Sequence, residues 1–439
     1  MIIEFLWYST AVFAIWGSSL GGISIPAVGL IYPFRMAAAL LFVLLIWKNR
    51  KEGWGLNRRS WYTILPVLGY MILFSIMSLL WVGDRLVTAK AILNFLFIAA
   101  FLVMFFNIVR EKKQLDRLLI VLSANFAVIL LIGVYEAFSN NYLFCDPAGV
   151  DMAWRTNAFG LSYPVVCFTN PNDFAFSISL TVPLMLYVLD EALKLRDWQR
   201  VLLKTLVILV SFFVMMHTCS RLGYIVYFVV MGIYVGVQFK KSRLETVVLA
   251  LLAVFLVLSL TGAIKPKIEV KVPGKIRGAE PITEVSAEDT STVIRLTLIK
   301  KGLRVTKDTW GLGAGAKNSP AIMKRYTDIP KSEDFGITDY HLFYMELMAD
   351  YGVIPLAALI LLQGGAFFAA IYVLRKKKEQ RWLAVVSLPG VVGFALASAN
   401  CSSSMFVYMM WIQFAIWSLL TARVIPDWLA ERKQLKKDC

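Results

Sequence analysis

The stretch from Ala91 to Tyr135, AILNFLFIAAFLVMFFNIVREKKQLDRLLIVLSANFAVILLIGVY, decides the fold. Two uncharged runs, Ala91 to Val109 and Leu118 to Tyr135, flank a short segment holding Arg110, Lys112, Lys113 and Arg117. A helix needs about 20 apolar residues to cross ~30 Å of hydrocarbon, and each run supplies close to that. Short loops rich in Lys and Arg stay on the cytoplasmic side. The stretch therefore reads as two membrane-crossing helices joined by an inner turn.

The same pattern extends in both directions. Apolar runs precede it near Ile2 to Leu20, Val28 to Trp47 and Trp61 to Val82. Others follow near Phe174 to Leu189, Thr205 to Cys219, Leu222 to Phe239, Thr246 to Ile264, Val353 to Leu374, Trp382 to Ala399 and Ser404 to Ala422. The expectation is an all-α polytopic membrane protein with about twelve transmembrane helices. Composition agrees: 59% of residues are hydrophobic, 17% are charged and the mean hydropathy is +0.67. A soluble chain is closer to half apolar.

Basic residues orient the bundle. With the N-terminus inside, inner connections carry Lys48 to Arg59, Arg110 to Arg117, Lys194 to Lys204, Lys240 to Arg243 and Arg375 to Arg381, and the tail adds Arg423 to Lys437. The short outer turns carry almost none, so both termini are expected in the cytoplasm. The first run lacks a small-residue cleavage site and reads as a retained anchor. The net charge of +16 is dispersed among these connections rather than gathered on one face, which argues against nucleic acid as a partner. Cys145, Cys167, Cys219 and Cys401 fall near the outer face, where either disulfides or free thiols are chemically possible. No Cys and His spacing suggests zinc.

Two outer segments are too long to be turns: Asn140 to Asn172, with Trp154 and Arg155, and Lys265 to Tyr340. Long loops in an economical bundle are usually functional or disordered. Lys265 to Asp289 lacks helical periodicity. In Thr290 to Lys307, by contrast, Thr292, Val293, Leu296, Ile299, Leu303 and Thr306 follow helical spacing, and Arg295, Lys300, Lys301, Arg304 and Lys307 supply charge. This predicts an amphipathic helix along the bilayer surface. Trp310-Gly-Leu-Gly-Ala-Gly315 then reads as a flexible turn, and a second short helix follows Asp339-Tyr340-His341. The chain divides into 1–264, roughly the first nine membrane helices; 265–352, an extracytoplasmic loop with short amphipathic, active-site helices; and 353–439, the remaining helices with a basic cytoplasmic tail.

Only two histidines occur, His217 and His341, both near the outer surface. Arg221 follows His217 at a tight turn, where an arginine at membrane depth needs a cavity or partner unless it snorkels to the headgroups. Arginine binds phosphate bidentately and stays charged, so Arg221 and Arg295 suit a lipid-linked phosphate. Arg295 is equally readable as one solvated charge on an amphipathic face. A histidine can take the proton that an attacking sugar hydroxyl gives up, which makes His341, between Tyr340 and the following helix, a candidate base. Its neighbours form no Ser/His/Asp triad, and no paired carboxylates are placed for a divalent metal. Gly311 to Gly315 lacks the Gly-Lys-Ser/Thr ending of a phosphate loop.

Four motifs in order resemble those of the O-antigen ligase and polymerase superfamily, membrane glycosyltransferases that assemble bacterial surface polysaccharide on undecaprenyl carriers. Phe168-Thr-Asn-Pro-Asn-Asp-Phe174 resembles its Phe-x-Asn-Pro-Asn element, and Thr218-Cys-Ser-Arg-Leu-Gly223 its Thr-x-Ser-Arg-Gly turn, with Leu222 inserted. Arg295 followed by Gly311-Leu-Gly313 has the spacing of its loop arginine and Gly-Val-Gly turn, with Trp310 where a proline is expected. His341 to Gly352 is similar to its histidine signature, with Leu342 in place of Asn.

The resemblance implies a GT-C-like, inverting, metal-independent and cofactor-free transfer at the outer face of a bacterial cytoplasmic membrane. It implies an undecaprenyl-pyrophosphate-linked glycan as donor and a glycan or lipid hydroxyl as acceptor. Arg221 and Arg295 would bind the pyrophosphate and His341 would be catalytic, with Asn172, Arg155, His217, Asp339, Tyr340 and Gly313 as possible supports. The ligase-type activity is the first expectation and a repeat-unit polymerase the second. A secondary transporter or lipid-linked glycan flippase is the alternative from another class, but no repeat symmetry between halves is visible.

Overall fold

The structure of the protein, a computed structural model, describes residues 2–25, 29–53, 63–145, 161–168, 170–239, 243–260, 287–326, 340–399, 405 and 407–435. Helix α1 is Ile2–Trp16 and α2 is Pro33–Glu52; between them Ile23–Ile25 (β1) and Gly29–Ile31 (β2) form an antiparallel hairpin with Ile23 opposite Ile31. The apolar run from Val28 is thus part strand. Pro33 explains the switch, because it fixes φ for a first helical turn and has no N–H to lose there.

The chain continues as α3 (Ile64–Ser78), α4 (Arg85–Ile108), α5 (Lys112–Ser139) and α6 (Pro171–Tyr187), which runs into a π turn at Val188–Ala192. Next come α7 (Asp197–His217), α8 (Arg221–Val237) and α9 (Arg243–Leu260). The loop region supplies α10 (Ala287–Asp308), the single turn α11 (Ser319–Met323) and α12 (Phe343–Tyr351). The last helices are α13 (Val353–Lys376), α14 (Arg381–Ala397) and α15 (Tyr408–Leu435). The architecture is helical, with the one hairpin among the described residues. Seven helices there are long and apolar enough to cross a membrane, and Ile64–Ser78 and Arg221–Val237 are apolar but shorter. The protein is a multi-pass membrane protein.

Helix α6 is the axis of the bundle. Its side chains are buried almost throughout, and α7, α8, α14 and α15 pack around it. Small residues let the backbones approach: a Cβ on Gly393 would lie 2.5 Å from Val230, and one on Gly223 would lie 3.0 Å from Ala175 Cβ. Phe394 of α14 is the hub of an aromatic cluster, with ring centroids 6.1 Å from Phe176, 5.3 Å from Phe343, 5.1 Å from Phe414 and 5.7 Å from Trp417. The side chain of Gln413 on α15 donates to Leu180 O of α6 at 3.0 Å.

Lys204, counted in sequence with the inner loops, is fully buried. It lies 3.1 Å from Asp190 of the π turn and 2.8 Å from Glu245 of α9, while Tyr234 OH donates to Asp190 at 2.7 Å. A cation tied to two carboxylates joins three segments at the end of the bundle remote from Arg221.

Candidate active site

Arg221 opens α8 behind the N-cap Ser220, whose Oγ accepts from Gly223 N at 3.3 Å. Its side chain is exposed. The turn before it reverses through Cys219 in the left-handed region, φ 51°. Asn170 caps α6 in the same manner, accepting from Asn172 N at 2.8 Å. Because Gly223 rests on Ala175, the N-termini of α6 and α8 lie side by side, each presenting the positive end of its helix dipole. Arg221 and Asn172 are thereby brought to one end of the bundle. His217 is buried at the close of α7, its ring edge against Phe213 with centroids 4.3 Å apart, so it faces the core rather than the open end.

Helix α10 forms where the spacing predicts, but its packed face is not the apolar stripe read from sequence. Thr297, Leu298, Lys301, Gly302 and Val305 are buried, whereas Val293, Leu296 and Leu303 are exposed. Gly302 explains the choice, since a Cβ there would meet Met345 Sδ at 2.6 Å and the Tyr340 ring at 2.7 Å. A helix with one packed side and an outward apolar side suits an interface between protein and bilayer. Arg295 sits between the two faces, half-buried, and burial depresses its pKa from the usual value without removing the charge of a guanidinium.

Helices α10 and α12 run in the same direction, with Gly302 against Met345 and Val305 in one cluster with Ala349. Arg295, two turns before Gly302, and His341, one turn before Met345, therefore lie toward the same end of the pair. His341 is half-buried at φ 50°, a left-handed conformation uncommon for a side-chain-bearing residue. The next residues are pinned: Phe343 N donates to Ser398 O at 3.0 Å, and the Phe343 ring joins the Phe394 cluster. That cluster reaches Phe176, one turn beyond Asn172, so α14 links the His341 segment to the paired helix starts. Tyr340 is buried and its phenol is pushed well above the usual range by that burial.

The Gly311–Gly315 turn, expected to be flexible, is clamped. Ala314 N donates to Ala349 O (2.8 Å), Gly315 N to Asp350 O (3.0 Å) and Val353 N to Gly311 O (2.9 Å). Trp81 Nε1 donates to Ala314 O at 3.0 Å, and Thr88 Oγ1 to Ala316 O at 2.9 Å. Gly313, at φ 95°, has no room for a Cβ, which would lie 2.6 Å from Gly352 N and 2.7 Å from Asp350 O. The reason for the glycines is close backbone approach, not phosphate binding.

Asp350 was missed in the sequence, although it stands in the histidine signature. It is buried and accepts from Lys317 N (3.2 Å) and Ser319 N (3.0 Å), while Lys317 Nζ pairs with Glu346. Burial, with Glu346 nearby, raises its pKa to about 6 against the opposing pull of Lys317 and its hydrogen bonds. Glu136 was also missed: Val165 N (3.0 Å) and Val166 N (2.8 Å) both donate to its carboxylate, holding Val166 at φ 54° and shaping the approach to α6. Arg35 lies within an apolar run, a signal like that of Arg221. Its guanidinium donates to Leu30 O at 2.8 Å and to Asn94, over the Tyr32 ring.

Arg155 and Asp339 lie outside the described residues, as do Cys401 and the segment Lys265 to Ser286. Cys145, Cys167 and Cys219 are free thiols.

Residues 206–360 match the family model described as O-antigen ligase. The chain is also similar to the teichuronic acid biosynthesis protein TuaE of Bacillus subtilis (strain 168), at 22% identity over 397 residues covering 87% of this chain and 76% of that protein. The matched segment takes in Arg221, Arg295, Gly313, Tyr340 and His341, so the part of the chain that holds these residues is the part similar to the O-antigen ligase family, and both likenesses support a membrane glycosyltransferase-like enzyme.

Proposed function

We propose that the protein transfers a glycan from undecaprenyl pyrophosphate to an acceptor hydroxyl at the outer face of the cytoplasmic membrane, with inversion and without a metal. The observation that carries this is the convergence of two segments on one end of the bundle. Arg221 stands beside paired helix N-termini, and Arg295 and His341 stand at one end of the α10–α12 pair. Both segments fall in the region that matches the O-antigen ligase model, apart from the α6 start.

In this reading Arg221 and Arg295 hold the pyrophosphate, and the positive dipole ends of α6 and α8, with Asn172, add to the positive field. The acceptor oxygen attacks the anomeric carbon from the face opposite the pyrophosphate. The carbon–oxygen bond to phosphate breaks, undecaprenyl pyrophosphate leaves with the electron pair, and the acceptor proton passes to His341. Preorganised charge at the leaving group is the main source of rate. Tyr340 and Gly313 act as supports by fixing α12 and the clamped turn, and His217 by filling the core below Arg221. Arg155 and Asp339 are supports on sequence grounds. The remaining short apolar helices complete a bundle of about twelve spans with both termini in the cytoplasm, divided at 1–264, 265–352 and 353–439.

Purified protein given only lipid-linked repeat units separates the two activities of the family. A ligase yields no ladder until a second acceptor is added. A ladder from the donor alone would assign a polymerase, the second reading; a relative named for teichuronic acid biosynthesis is compatible with either.

A further inference from the structure

Far from Arg221 and His341, the other end of the bundle has a cavity of about 510 Å³ between α13 and α15. Its walls change in order along α13. The part nearest the bilayer centre is Gly365 and Ala369, small residues that leave a channel beside Ile425. Phe368 and Tyr372 follow, and the end is formed by Arg375 and Lys376, both exposed, with Trp428 across from them. Pro426 interrupts the ladder of α15 at the same level.

Gly365 and Arg375 are ten residues apart on one helix, an axial rise of about 15 Å. That is half of the ~30 Å hydrocarbon core, the depth of one leaflet. A second protein helix would need an apolar path of full membrane height and would leave the two cations without a counter-charge. A sequence of small apolar, aromatic and then cationic residues over one leaflet instead matches acyl chain, interface and phosphate. Arg375, Lys376, Lys377, Lys378 and Arg381 belong to the basic connection that the positive-inside rule assigns to the cytoplasm.

We infer that this groove is a binding site for an anionic phospholipid of the cytoplasmic leaflet, one acyl chain lying along Gly365 to Tyr372 and the phosphate held by Arg375 and Lys376. The site is independent of glycan transfer, and its occupancy can be read without any activity assay.

The test uses the full chain, purified in detergent and titrated in native mass spectrometry with phosphatidylglycerol and phosphatidylcholine of the same acyl chains. Phosphatidylglycerol is expected to be retained at least tenfold better. The R375Q/K376Q variant, altered only at exposed positions, should lose that preference by on the order of tenfold. Gly365→Leu, which fills the channel where the nearest neighbour of an added Cβ is Ile425 at 3.7 Å, should weaken both lipids. Equal retention of the two lipids by the wild type, or a preference that survives in R375Q/K376Q, would overturn the assignment. So would displacement of phosphatidylglycerol by undecaprenyl phosphate at equal concentration, which would give the groove to the carrier's tail.

Discussion

Among individual residues, Arg221 and Asp350 differ in what their loss should do. Arg221 is exposed, so Arg221→Ala should leave the thermal midpoint near that of the wild type. It should cut transfer from a pyrophosphate-linked donor by about 10²–10³, the range for removing one preorganised charge-stabilising donor. A variant that folds and keeps full turnover in a purified assay would remove Arg221 from the site. Asp350 makes a different prediction. Its folded pKa of about 6 lies above that of a free aspartate, so the folded state binds the proton more tightly. Its favourable contribution is complete at pH below 4 and is lost as pH rises through 6, a change of roughly 3 kcal/mol. Asp350→Asn should flatten that slope in midpoints measured from pH 4 to 7; an unchanged slope would show that the proton is bound elsewhere.

Sequence motifs found the arginines and the histidine because arginine at membrane depth and a scarce histidine are conspicuous types. They did not reveal Asp350 or Glu136, because a carboxylate that holds backbone N–H groups has no local pattern. Its partners at Ser319 and Val165 come from chain about 30 residues away.

Among secondary-structure elements, apolar runs and basic turns gave the helices, and helical spacing gave α10. The packed face of α10 was misread because hydrophobicity alone does not distinguish a side chain turned to protein from one turned to lipid. Gly302, which permits the close approach of Met345, is the residue that settles it. The same kind of contact makes Gly313 more than a hinge. Gly313→Ala forces a side chain into a left-handed backbone and against the Gly352 and Asp350 backbone, so it should destabilise by more than about 1 kcal/mol and abolish transfer. Gly364→Ala, on an open face of α13, is the control, with a midpoint equal to or above that of the wild type. Equal midpoints for the two variants would contradict the clamp.

At the remote end, Lys204→Met leaves Asp190 and Glu245 buried without their cation. A loss of about 3–5 kcal/mol is expected, read as a lower unfolding midpoint in detergent. A small or absent loss would mean that water already reaches these carboxylates.

For the whole molecule, the distribution of Lys and Arg predicts the orientation, and with it a proposed site that faces outward. Cys219, exposed in the turn before Arg221, and Cys439 are native reporters that this orientation would put on opposite sides. In single-cysteine versions, a membrane-impermeant maleimide on intact cells should label Cys219 and reach Cys439 only after permeabilisation. The reverse pattern would put the site in the cytoplasm. The packing that joins the site's two segments could not be read from sequence, since it runs through Phe394, an unremarkable residue of an apolar helix whose partners are Phe176, Phe343 and Phe414.

In the proposed function Arg221, Arg295 and His341 form one site acting on a pyrophosphate-linked glycan. Its most direct test is single-turnover transfer by the purified protein from an undecaprenyl-pyrophosphate-linked glycan of known anomeric configuration, with a chelator present and an acceptor added. Undecaprenyl pyrophosphate should be released and the product should have inverted configuration, with transfer reduced at least a hundredfold in each of Arg221→Ala, Arg295→Ala and His341→Ala. Retained configuration, or full turnover in any one of these three variants, would contradict it.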